Sequence, residues 1–357
     1  MHSTQGERPT FTRREALEKL GLVGGAGLLA GTGILSVVAR AGAGTVQQGP
    51  VIRTLQGDVA ANALGRGAVL FHEHFSIQIG ANPSFHADVD LMVEEARAAK
   101  ADGIALIVDG AHPDMGRDLE ALRRIARESG LPLVASGGYY MQRTYPPELA
   151  TKSAEQIADD LVAEARRDRL GAFGEIGQQG GVLTADESKV HRAVALAHVR
   201  TGIPVFTHNA YSIRATDIPR DAALRQLDIY EAAGANPQNL CIGHMCCLDD
   251  PQAEIISRIA RRGAYVGFDR VTLNGTMPDA NRVVMAMALA NAGHADKLLL
   301  SSDFYSRPAL KREGGPGFAQ TATVFGPMLR EAGMDEATLR MVLEENPRRF
   351  LAFTPRA

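Results

Sequence analysis

The sequence predicts an α/β fold, a (β/α)8 TIM barrel with a short N-terminal β-hairpin and a C-terminal helix. Eight apolar runs of strand length recur between residues 68 and 303, and charged, alanine-rich segments with helical spacing separate them. No glycine-rich phosphate-binding fingerprint follows the first run, which counts against the open, doubly wound sheet that the same alternation would also allow.

The pattern starts just after residue 50. VIRTLQGDVAANALGRGAVLF holds two apolar runs broken at Gly57-Asp58 and Gly65, which reads as a hairpin leading into a buried strand. Strands then follow at AVLFHEH (68–74), GIALIVDG (103–110), LPLVASGG (131–138), GAFGEIG (171–177), IPVFTH (203–208), NLCIGHM (239–245), GAYVGFD (263–269) and KLLLSSD (297–303). Such runs suit parallel strands covered on both faces. VEEARAAKADG, DLEALRRIARESG, QIADDLVAEARRDRLG and AEIISRIARRG lie between them, and each ends in glycine, as helices before a strand often do.

Composition sets the wider limits. A chain of 357 residues, 45% hydrophobic and 22% charged, can bury a large single core, so residues 44–357 are expected to form one barrel. The formal net charge of −3 and the lack of a basic stripe give no reason to expect a nucleic-acid partner. Cys241, Cys246 and Cys247 crowd into seven residues and do not make a disulfide framework. They are expected to be small buried or half-buried thiols without a catalytic part.

Residues 1–43 read as a targeting segment outside the fold. Arg13-Arg14 precedes an uncharged stretch from Leu20 to Ala39, and small-residue triplets follow at 39–41 and 41–43. The segment resembles a twin-arginine export signal, which implies a periplasmic or extracellular enzyme with no membrane span after cleavage. Six glycines make the stretch weakly hydrophobic; an uncleaved anchor is the alternative.

The chemistry is placed by where the metal-binding residue types fall. His72 and His74 close the first barrel strand, Glu175 the fourth, His208 the fifth, His244 the sixth and Asp303 the eighth. That is the end of the barrel where such enzymes build active sites. Residues two apart on a strand share a face, so His72 and His74 converge while Glu73 points elsewhere. Two imidazoles with a carboxylate make a competent site for one divalent ion, and two more sharing Glu175 make a second. Two ions about 3.5–4 Å apart can share a hydroxide at neutral pH, with Asp303 as ligand and proton acceptor. Any one of these residues alone would be a hydrogen-bonded structural residue; six in register are not explained that way. His191, His198 and His294 are assigned to helices; His86 and His112 follow the first two strands and are assigned to solvated loops, with contact to substrate as the alternative.

These residues resemble the phosphotriesterase-like branch of the amidohydrolase superfamily. The similarity runs from about Val51 to Phe353 through FHEHF (71–75), IVDGAHPDMGRD (107–118), GEIG (174–177), HVRTGIPVFTHNA (198–210), CIGHM (241–245), VGFD (266–269), SSD (301–303) and ENPRRFL (345–351). It implies that His72, His74 and Asp303 hold a more buried ion, that His208 and His244 hold a more exposed one, and that Glu175 bridges them. The ions would be zinc, with manganese, cobalt or iron also compatible with such ligands. Glu175 stands where phosphotriesterases and lactonases carry a carboxylated lysine. Together with GGYY (137–140) and RPALKREGGPGF (307–318), it points to the subgroup called phosphotriesterase homology proteins. Cys247 stands where phosphotriesterases place a relay aspartate, which argues against efficient paraoxon-type hydrolysis.

Four residues are candidate substrate contacts. Tyr139 would lean over the exposed ion, with packing of Tyr139 or Tyr140 as the alternative. Asp269 would orient a proton or a substrate group, and Arg270 resembles the lactonase pattern; a rim ion pair is the alternative for both. Arg307 would meet an anionic substrate or belong to a solvated charge cluster. The expected reaction is hydrolysis of an ester, lactone or amide of a small molecule, with phosphotriesters as the nearest alternative. A mononuclear amidohydrolase would have no use for a carboxylate at Glu175, and a noncatalytic binding protein would have no use for Asp303. A homodimer is implied by resemblance alone.

Overall fold

The computed structural model describes residues 49–80, 84–213, 217–272 and 277–356; the expected targeting segment, residues 1–43, lies outside the described residues. Strands β1 (Val51–Thr54) and β2 (Gly57–Ala60) pair antiparallel as the predicted hairpin. The barrel strands are β3 (Ala68–Glu73), β4 (Ile104–Asp109), β5 (Leu133–Gly137), β6 (Ala172–Ile176), β7 (Val205–Thr207), β8 (Leu240–Ile242), β9 (Tyr265–Phe268) and β10 (Leu298–Leu300). They pair in strictly sequential order and all in parallel, which is a barrel's connectivity and excludes the doubly wound alternative.

The connecting helices include α1 (Val89–Ala101), α2 (Leu119–Ser129), α3 (Ala154–Asp168) and α4 (Ala185–Thr201). Their starts are set by side-chain caps. Ser153 pairs with Gln156, and Thr184 with Glu187, as reciprocal capping boxes. Gly130 ends α2 in the left-handed conformation, as its position predicts. The glycine signal is displaced at α3, where Arg169 takes the left-handed cap and Gly171 falls inside the approach to β6. The chain closes with Asn346–Leu351, the expected C-terminal helix, and Phe353 bridges back to Val51.

Two apolar layers follow from strand alternation. Val69, Phe71, Leu106, Val108, Phe206 and Leu299 fill the barrel interior, while Leu70, Ile107, Val205 and Leu300 pack under the helices. Strict alternation from Val69 and Phe71 would turn His72 and His74 outward. It does not, because the register gains one residue at β3: Leu70 to Glu73 spans the same ladder as Ile107 to Asp109. A second such shift lies between Phe173 and Ile176, opposite Val205 to Thr207, just where Glu175 must turn inward. Both irregularities re-aim side chains at the barrel mouth, the usual service of a β-bulge.

Between β10 and β3 the barrel is joined at its mouth by bonds to side chains and loop amides. The Asp303 amide donates to the His72 carbonyl at 3.1 Å, and the His72 amide to Ser301 Oγ at 3.0 Å. Glu73, fully buried, accepts from the Ser302 amide, the Ser302 hydroxyl and the Phe304 amide at 2.8–2.9 Å. Burial pushes its carboxyl up to about 7 against these bonds. Glu73→Gln would turn an N–H toward groups that are themselves donors. The expected result is a loss of about 1–3 kcal/mol in urea unfolding, and an unchanged midpoint would show that the seam does not depend on this residue.

Candidate metal centre and active-site cleft

The observed strands stop earlier than the apolar runs do, so His74, His208, His244 and Asp303 sit just past the strand ends. All six predicted residues are nevertheless brought together, each no more than 4% exposed. His72 Nε2 and His74 Nε2 lie 3.5 and 3.4 Å from Glu175 Oε1, and His244 Nε2 lies 3.4 Å from Glu175 Oε2. Asp303 Oδ1 is 3.0 Å from His74 Nε2 and 3.8 Å from His72 Nε2. Among the described residues three sets of ligand-type atoms converge: His72, His74, Glu175 and Asp303; Glu175, His208 and His244; and His72, His244 and Asp269.

Asp269 decides which nitrogens face inward. Its Oδ2 lies 2.9 Å from His72 Nδ1 and its Oδ1 3.0 Å from His244 Nδ1, and Oδ1 also accepts the His244 amide at 2.6 Å. A carboxylate on Nδ1–H leaves Nε2 as the free lone pair, the usual second partner of a metal-binding imidazole. His208 is turned the other way. Its Nε2 faces Tyr140 Oη at 3.2 Å and Ser212 Oγ at 3.0 Å, so its Nδ1 points to the centre. Gln226 supports that strand end by donating to the His208 carbonyl, and His112 donates to the Glu175 carbonyl.

His72 Nε2, His74 Nε2, His208 Nδ1, His244 Nε2 and Glu175 Oε2 are buried with no hydrogen-bond partner. Buried polar atoms are rarely left this way, and five converging on one space have the make-up of a divalent metal site. The titration behaviour agrees. Burial opposes charge on His72, yet Glu175 and Asp269 hold it well above the ordinary histidine range. His74 is pushed up to about 9 by Asp303 and Glu175, and His244 to about 9 by Asp269, against the same desolvation. Protons hold the positive charge that three carboxylates demand, and cations would displace them. His208 differs: burial and the neighbouring His244 push it down to about 3.

The cluster opens into a cleft of about 650 Å3, lined among others by Tyr140, Arg143, Ser212, Arg270 and Tyr305. Arg270 faces it, with Nη1 3.3 Å from Asp303 Oδ2 and Nη2 donating to Tyr305 Oη at 2.7 Å. The other three expected substrate contacts lie elsewhere. Asp269 is fully buried behind His72 and His244 and does not reach the cleft. Tyr139 packs against Tyr145, and Tyr140 takes the place beside His208. Gly138 separates both tyrosines from β5 with φ 133°, where a Cβ would meet Ile176 Cδ1 at 2.4 Å, so strand alternation does not carry across it. Arg307 is exposed and pairs with Glu313. His86 and His112 are buried rather than solvated, His112 between Asp114 and the Glu175 carbonyl, His86 in the wall of the cleft. Cys246 is buried and Cys247 half-buried, and neither forms a disulfide.

The sequence profile described as the phosphotriesterase family matches residues 50–351. The chain belongs to the phosphotriesterase family. A phosphotriesterase homology protein from Escherichia coli (strain K12) is 32% identical over 297 residues, which cover 80% of this chain and 97% of the relative. The crystal structure of the phosphotriesterase homology protein from Escherichia coli, complexed with phosphate in its active site, aligns with a TM-score of 0.72 at 29% identity, over 80% of this chain and 99% of that one. An aryldialkylphosphatase from Saccharolobus solfataricus is 26% identical over 309 residues, covering 80% of this chain and 95% of the relative. An N-acetyltaurine hydrolase from Danio rerio is 28% identical over 295 residues, covering 76% and 82%. Family membership and the buried cluster together make this phosphotriesterase-family chain a metal-dependent hydrolase.

Proposed function

We propose that this chain hydrolyses a carbonyl-type bond, in a carboxylic ester, lactone or amide, with two divalent ions held in the centre. The observation that carries the reading is Glu175, whose two oxygens face different histidines, Oε1 toward His72 and His74 and Oε2 toward His244. A single-ion site would need only one of those faces. His72, His74 and Asp303 would hold one ion, and His208 and His244 the other, with Glu175 shared. Zinc is the ion proposed, and manganese, cobalt or iron would fit the same donors. Ions bound there would act as Lewis acids and bring the pKa of bound water to about 7.

The chain's own residues then divide the remaining work. Asp303 accepts the proton of the attacking water and returns it to the leaving group. Arg270, beside Oδ2, keeps that carboxyl below its usual range together with His74, although burial pushes the other way. Tyr140 carries a hydroxyl at the edge of the cleft, beside His208, where it can donate to a substrate oxygen. An amide bond is the target named for the Danio rerio relative, which supports the carbonyl class. Phosphotriester hydrolysis, named for the Saccharolobus relative, is the second reading. Residues 1–43 are read as an export signal and the enzyme as a homodimer. Among the described residues no helix is long and apolar enough to cross a membrane.

Elemental analysis, with lactone, aryl ester, N-acyl amino acid and phosphotriester turnover measured on the same sample, tests the proposal. Two equivalents per chain and chelator-sensitive turnover strongest on a carbonyl substrate are expected. One equivalent with full turnover would replace it with a mononuclear enzyme, and a phosphotriester preference would replace the bond class.

A further inference from the structure

Four aliphatic or thioether side chains, Ile77, Ile79, Met115 and Ile213, share the cleft with two arginines. The arginines differ in their engagement. Arg270 is held by Asp303 and Tyr305. Arg143 is exposed, and its guanidinium has no acidic or hydrogen-bonding partner among the described residues.

Its backbone, by contrast, is firmly held. Arg143 lies on the short turn Gln142–Thr144, where its amide donates to Gln179 Oε1 at 3.2 Å. Thr144 Oγ1 donates to Asp114 Oδ2 at 2.8 Å, and Gln142 Nε2 to Asp186 Oδ2 at 3.3 Å.

A fixed backbone, an unpaired planar cation and an apolar wall describe a receptor for an amphiphilic anion. We propose that Arg143 binds an acidic group carried by the substrate, so that the preferred substrates are acyl compounds bearing a carboxylate or sulfonate. The proposal rests on the acyl-hydrolase reading for the bond that is cut, but not for the binding of the anion.

Calorimetric titration of the purified protein with hexanesulfonate, hexanoate and neutral hexanamide separates the two. Both anions are expected to bind more tightly than hexanamide, and Arg143→Gln to weaken each anion by about tenfold, the value of one charge-assisted contact. Arg143→Lys should restore part of the loss, since it keeps the charge without the planar fork. The anion that suffers the larger loss identifies the acid. In turnover, the ratio of kcat/KM on an N-acyl amino acid to that on its neutral amide should fall about tenfold in Arg143→Gln, chiefly through KM. Anion binding equal in wild type and Arg143→Gln would overturn the assignment, whatever is hydrolysed. Arg143-dependent binding without any acyl hydrolysis would overturn the bond class and leave the assignment standing.

Discussion

Glu175→Ala is expected to abolish turnover and to strip metal from the protein, leaving a folded chain that melts at a lower temperature. Glu175 is the one residue common to the two ligand sets assigned to ions, His72, His74, Glu175 and Asp303 and Glu175, His208 and His244. Outer-sphere substitutions already cost about 10–100-fold in metal affinity, so loss of a shared inner ligand should exceed that at both positions. Some stability should go with it, because His72, His244 and His74 hold the Glu175 carboxyl well below its usual range in spite of desolvation. Without it, His72, His74 and His244 lose one of the groups that hold them protonated, and they can relax to neutral imidazoles. Elemental analysis beside a thermal melt measures both halves of this expectation. Full metal content in the variant would remove Glu175 from the centre.

Asp303→Asn keeps the shape of the side chain and its carbonyl oxygen but cannot take a proton. The expected loss in kcat is about 10^2–10^4-fold, the usual contribution of a general base. Metal content should fall much less. Asp303 is lowered by the neighbouring His74 and Arg270, in spite of burial, so the wild-type group is ionised. A kcat within a few fold of wild type, with metal present, would remove Asp303 as the base. Metal lost in step with turnover would reduce it to a ligand alone.

Most of this architecture was legible from residue order, because a barrel repeats one local rule: a buried strand, then a capped helix. The six residues of the centre were legible for the same reason, since each follows an apolar run. What strand parity could not give was the direction of side chains past an irregularity. The extra residues at Leu70–Glu73 and Phe173–Ile176 reverse the alternation, and nothing in the composition of either run announces them. Tyr139 and Tyr140 are separated in role only by the backbone turn at Gly138. Asp269 ends an apolar run, a place that suits orienting a proton or a substrate group and a rim ion pair alike. Two imidazole Nδ1 atoms within 3.0 Å hold it instead, a contact between strands that no single run can reveal. His112 follows a strand as a loop residue would, yet it is buried, with Asp114 and the Glu175 carbonyl taking its two ring nitrogens.

The junction of the first and last barrel strands has a consequence for how damage to this protein would be felt. Glu73 sits between His72 and His74, and its clasp grips Ser302 and Phe304, which flank Asp303. The residues that shut the ring and the residues that do chemistry therefore alternate along the same two short segments. A wedge driven into that junction, by a bulky substitution or a brief opening, would separate His72 and His74 from Asp303 before any helix came loose. Activity in this enzyme should then act as the more sensitive gauge of ring closure, failing under strains that leave the folded fraction intact.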